Sequence, residues 1–224
     1  MDRKKLLVAT VVAFLALAVL YFLRVRIPYK QVFPMVLLFV AGFALQSWPL
    51  VVAALFSAIG DYFGMLNQLV PQMGSFAVAQ CCFIGYFLAR AWKKKQAGEK
   101  QAGGLWFAVV TLLAVALYYW ASEHVFPRVP EGIIRTGMSV YAGLLVVMMW
   151  SALMQRDWMW GIGALLFVFS DGLIAYNMFV TRVPHAGKWI MVTYFTAQIL
   201  IFTRAALERR RRPPRAPRAG PRRR

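Results

Sequence analysis

The sequence predicts an all-α, polytopic membrane protein with eight transmembrane helices arranged as a parallel 4+4 repeat. Three observations carry that reading. Of the 224 residues, 61% are hydrophobic, and the mean hydropathy of +0.59 exceeds what a soluble domain sustains. Charged and proline-containing stretches divide the chain into apolar runs close to the roughly 20 residues that a bilayer crossing needs. Finally, two runs approach an aspartate in the same way. Trp48 leads to Asp61 through ALFSAIGD, and Trp158 leads to Asp171 through ALLFVFSD, at identical spacing.

The spans fall at about 6–23, 31–46, 48–66, 73–91, 104–122, 133–153, 158–178 and 187–206. The first follows the basic DRKK and runs on past Ala16-Leu17-Ala18 to Leu23, so it reads as an uncleaved span rather than a secretory signal. Short spans such as the second call for tilt or a thinned bilayer. The third carries Asp61. The fourth carries Gln80 and the adjacent Cys81 and Cys82, which are read as packing residues because neighbouring cysteines pair poorly. The fifth begins after the charged stretch RAWKKKQAGEKQAGG, residues 90–104, and the seventh carries Asp171.

The last span of each half holds an Ala-Gln pair, in Phe76-Ala77-Val78-Ala79-Gln80 and in Phe195-Thr196-Ala197-Gln198. An even-numbered unit repeats with unchanged orientation, about an axis along the membrane normal. The predicted organisation is a membrane domain over 1–208, with repeats at about 1–91 and 104–208 joined by a linker at 92–103. An Arg/Pro-rich tail, 209–224, is expected to be disordered. Its charge suits anionic lipid headgroups, and no specific nucleic-acid partner is expected.

The net charge of +18 is unevenly placed. With the N-terminus in the cytoplasm, the cytoplasmic segments hold Arg3, Lys4, Lys5, Arg90, Lys93, Lys94, Lys95, Lys100, Arg156 and every arginine from Arg204 onward. The opposite face holds Arg24, Arg26, Lys30, Arg128, Arg135, Arg182 and Lys188. This is a positive-inside bias with both termini cytoplasmic, as for a multi-pass protein of a bacterial inner membrane.

A carboxylate at the centre of a membrane helix costs about 2.5–3.5 kcal/mol on insertion scales. Two at matched depth point to one site built from two carboxyls, roughly two-thirds of the way across at ~1.5 Å rise per residue. Tyr62, Asn67, Ser170, Tyr176 and Asn177 gather at that level, and Gly60 and Gly172 flank the acids. Lys30 is placed to pair with a carboxylate or phosphate, and equally to snorkel at the interface. Gln80 and Gln198 can orient water or ligand, or bond between helices. No GxSxG or phosphate-loop motif is present. His124 and His185 fall in loops away from other ligand types, so neither a metal site nor a cofactor is expected.

The stretches FSAIGDYFGML, GSFAVAQCCFIGYF, GALLFVFSDGLIAYNMF and YFTAQILI resemble the YhhN-like lysoplasmalogenase family of eight-helix membrane proteins. The resemblance covers nearly the whole chain except the basic tail. It implies a hydrolase that cleaves the vinyl-ether bond of a lysoplasmalogen to a fatty aldehyde and a glycerophospho-ethanolamine or -choline. It maps the catalytic pair onto Asp61 and Asp171. Separately from the resemblance, Lys30, Tyr62, Asn67, Gln80, Ser170, Asn177, Tyr194 and Gln198 are the substrate-binding candidates. One departure stands out: the family often has Ala-His in the fourth helix, where this chain has Ala79-Gln80. An amide cannot carry a proton, although it can still orient a substrate.

The residues suit that chemistry. Protonating the β-carbon of a vinyl ether yields an oxocarbenium ion, which water captures as a hemiacetal that collapses to aldehyde and alcohol. One carboxylic acid supplies the proton, and a second, ionised carboxyl stabilises the cation and serves as base towards water. Glycosidases meet a similar demand with two carboxyls. Intramembrane carboxylates in parallel repeats equally describe a proton-coupled transporter of a small molecule or lipid. A non-enzymatic lipid-binding scaffold leaves the two aspartates without a purpose.

Overall fold

The computed structural model describes residues 2–23, 25–99 and 102–210. These form eight α-helices and one 3-10 turn: α1 (Arg3–Phe22), α2 (Phe33–Leu45), α3 (Trp48–Met65), α4 (Leu69–Gln96), α5 (Gly104–His124), the turn Phe126–Arg128, α6 (Ile133–Leu153), α7 (Trp158–Phe179) and α8 (Ala186–Arg210). Seven are long and apolar enough to cross a membrane. The eighth, α2, is apolar but has only 13 residues, about 20 Å at the helical rise.

Local chemistry explains several of the helix ends. Pro34 and Pro49 sit in the first turns of α2 and α3, where a missing N–H costs nothing. Asp157 caps α7 by accepting from the backbone N–H groups of Met159 and Trp160. Helix α4 outruns its expected 73–91 span at both ends. Pro71 is tolerated in its opening turn, and Lys93, Lys94 and Lys95 favourably meet the negative end of the helix dipole in its last turn. The backbone of α8 continues to Arg210, so the expected tail begins within a helix, and 211–224 lie outside the described residues.

The helices pack in a regular order. Within the first half α1 lies on α2, α2 on α3 and α3 on α4; within the second, α5 lies on α6, α6 on α7 and α7 on α8. The halves meet where α4 packs on α6 and where α8 packs on α2 and α1. The tightest seams are α3–α4 and α7–α8, the helices that carry the aspartates and glutamines.

Small residues permit those seams. A Cβ at Gly60 would lie 2.8 Å from the Phe76 ring, and one at Gly163 would lie 2.9 Å from Ile201 and 3.3 Å from the Ala197 carbonyl oxygen. Phe76, Phe167 and Tyr194 then meet edge-to-face, with centroids 5.6–6.4 Å apart, an arrangement aromatic quadrupoles favour. Near the N-terminus of α7, polar groups lock the helix ends. Arg90 donates to Glu208 at 2.7 Å and to Gln155 at 2.6 Å, and Arg204 donates to Asp157 at 2.6 Å.

The α7–α8 seam yields a stability prediction. Gly163→Val should lose about 1–3 kcal/mol through over-packing against main chain, read as a lower thermal midpoint in detergent. Gly74→Ala, where a Cβ meets no atom within 4 Å, should leave the midpoint unchanged or higher.

Candidate functional site: two buried carboxyls, each held by a tyrosine

Asp61 on α3 and Asp171 on α7 are both buried, 3% and 7% exposed. Each carboxylate has a tyrosine donor from another helix. The Tyr194 hydroxyl on α8 donates to Asp61 Oδ2 at 3.1 Å, and the Tyr141 hydroxyl on α6 donates to Asp171 Oδ2. The two acids lie within electrostatic reach of each other, so they occupy one polar centre inside the bundle.

Amides complete the surroundings. Gln198 on α8 donates to Ser57 Oγ on α3 at 3.2 Å. Gln31, before α2, approaches Asp61, and Gln80 on α4 lies beside Tyr141. Gln80 is fully buried, and among the described residues no well-formed hydrogen bond satisfies its amide, although the Tyr141 hydroxyl is close. It is a buried donor and acceptor still available to a third group.

Asp171 also opens onto a largely apolar space. A pocket of about 100 Å³, with Gln72 in its wall, lies among α4, α5, α6 and α7. Met73, Phe76, Phe126, Met138 and Leu145 contribute to its wall, with Tyr141, Asp171 and Gly172. Trp120 lines it as well, its ring stacked between those of His124 and Tyr176.

The other residues singled out from sequence are occupied elsewhere. Lys30 donates to the carbonyls of Leu23 and Val25, closing the end of α1, and its ammonium lies over the Tyr21 ring. Tyr62 is exposed and packs against Tyr29 and Phe63. Asn67 takes positive φ in the turn between α3 and α4, and Asn177 accepts from the Val183 N–H to shape the α7–α8 connection. Ser170 bonds the Ile190 carbonyl across the α7–α8 seam. The structure therefore groups Asp61, Asp171, Tyr194, Gln80 and Gln198, and leaves Lys30, Tyr62, Asn67 and Asn177 apart.

Tyr141 and Gln31 went unrecognised in the sequence, and a signal for them exists. Tyr141 precedes Asp171 by 30 positions, and Gln31 precedes Asp61 by the same interval. A polar side chain 30 positions earlier in the chain thus lies beside each acid.

The profile of the YhhN family matches residues 27–205. The chain belongs to the YhhN family. Human lysoplasmalogenase TMEM86B is 31% identical over 149 residues, covering 65% of this chain and 58% of the human protein. Human lysoplasmalogenase TMEM86A is 32% identical over 163 residues, covering 67% and 62%. A lysoplasmalogenase of Mycobacterium tuberculosis is 28% identical over 162 residues, covering 70% and 59%. The chain thus spans about three-fifths of the length of these relatives. No solved structure matches.

The tyrosine contacts make a thermodynamic prediction. Tyr141→Phe should couple to Asp171→Asn in a double-mutant cycle on unfolding stability by more than about 0.5 kcal/mol. Its coupling to Asp61→Asn should be smaller. Tyr194→Phe should show the reverse preference.

Proposed function

We propose that this YhhN protein hydrolyses the vinyl-ether bond of lysoplasmalogen, with Asp61 and Asp171 as its two working carboxyls. The observation that carries the reading is the pair of buried acids from α3 and α7, each hydrogen-bonded to a tyrosine, in a chain related to proteins named lysoplasmalogenase. One carboxylic acid gives its proton to the β-carbon, forming a C–H bond as the π electrons leave an oxocarbenium ion. The other, ionised, stabilises that cation and then takes a proton from the water that adds to it. The resulting hemiacetal breaks its C–O bond to the glycerol oxygen. Atoms balance as one alkenyl ether plus one water giving one aldehyde and one alcohol, so no redox partner is needed.

In this reading all eight helices cross the bilayer, α2 included, as two parallel four-helix units. The mirrored packing order supports the duplication, as do the polar neighbours set 30 positions before each acid. Both termini face the cytoplasm on the charge distribution. The substrate is a lysophospholipid reached from the bilayer.

Purified protein should release long-chain aldehyde from a lysoplasmalogen, while the saturated-ether analogue stays intact. Asp61→Asn and Asp171→Asn should each lower the rate by at least ~100-fold, the scale of acid–base catalysis, and both variants should retain cooperative unfolding. Unchanged aldehyde release in both variants would refute the two-carboxyl mechanism. Uptake into proteoliposomes without new product would instead favour a transporter.

A further inference from the structure

Each aspartate has a glycine neighbour, Gly60 before Asp61 and Gly172 after Asp171, and the two glycines do different work. Gly60 is a packing glycine: any side chain there would strike the Phe76 ring. Gly172, in contrast, lines the α4–α7 pocket and has no neighbouring atom within 4 Å of where a Cβ would stand. Directly before it, Asp171 is the only ionisable carboxyl in the pocket wall, and Tyr141 beside it is the hydrogen-bond donor that holds it. Asp61 is absent from that wall.

The chemistry of the space defines what it can hold. Its wall is almost wholly hydrocarbon, aromatic and thioether, built from Met73, Phe76, Phe126, Met138 and Leu145, which suits a flexible apolar chain. The α5–α6 connection, whose Val125 and Phe126 line the pocket, carries both signs of charge in Arg128 and Glu131, with Glu123 and Arg135 at the adjoining helix ends. That mixture complements a zwitterionic headgroup better than a purely anionic one.

Resting on the hydrolase reading above, we propose that the hydrocarbon chain of a single-chain ether lysophospholipid lies in this pocket against Gly172, making Asp171 the carboxyl that meets the vinyl-ether carbon. Asp171 then supplies the proton that forms the new C–H bond. Asp61, enclosed by Tyr194 and Gln31, provides the opposing negative charge. Tyr141 is a positioning residue, acting through Asp171. Gly172 sets the room available to the chain.

The test uses the full-length protein in detergent and a non-hydrolysable probe, a saturated-ether lysophosphatidylethanolamine with a diazirine in its chain. After photolysis, peptide mass spectrometry should find label on the segments around Met73, Met138 and Ala175. Gly172→Leu fills the space while replacing a helical glycine with a better helix former. It should cut that labelling at least fivefold and raise KM for a long-chain vinyl-ether substrate about tenfold. Gly74→Leu, another glycine with open space at Cβ, should change neither. Label concentrated on α1–α3, or labelling unaffected by Gly172→Leu, would overturn the pocket assignment even if aldehyde is released. Pocket labelling with no aldehyde from the vinyl-ether substrate would uphold the site and overturn the hydrolase reading.

Discussion

Two carboxyl groups enclosed among apolar helices dominate the energetics of this bundle. Taking one such group from water into hydrocarbon costs several kcal/mol, and the fold answers with tyrosine hydroxyls from neighbouring helices. Each contact ties an acid-bearing helix to another: α3 to α8, and α7 to α6. These bonds fix the helices' relative rotation, because a turn of either helix would strip an acid of its donor. An unpaired buried polar group costs about 1–3 kcal/mol, a strong constraint in a core otherwise held by non-directional packing.

Around this polar centre the core is aromatic and close-packed. Phe76, Phe167 and Tyr194 interlock on three helices, and Gly60 and Gly163 let backbones approach where larger residues would part them. Tyr194 belongs to both systems, since its ring packs in the aromatic group while its hydroxyl holds Asp61. Packing and chemistry are therefore coupled at that residue. The surroundings of the two acids differ: one has Tyr141 and an open pocket beside Gly172, the other has Tyr194, Gln31 and a filled space at Gly60.

Hydropathy made the helical fold legible, since desolvation demands long apolar runs and charge marks their ends. The matched aspartates were legible for the same reason: their cost makes them conspicuous. The tyrosine partner of Asp171 was not, because Tyr141 resembles any aromatic of a membrane helix and its role depends on how α6 meets α7. Lys30 misled in the opposite direction. Its charge drew attention, but its flexible chain folds back onto the carbonyls at the end of α1. Both glycines flank an acid in sequence, Gly60 before Asp61 and Gly172 after Asp171, but their surroundings were not legible there: Phe76 packs on Gly60, whereas Gly172 faces open space. Helix length was legible in part. The shortness of α2 showed in its span, whereas the extension of α4 through its lysines goes with a favourable dipole interaction to which hydropathy is blind.

Carbon protonation by a buried carboxylic acid is the central claim, and it leaves an isotopic record. Hydrolysis of a lysoplasmalogen by the purified protein in D₂O should deliver one deuterium to the carbon adjacent to the aldehyde, read by mass spectrometry of the trapped product. Aldehyde released without deuterium at that carbon would contradict the mechanism.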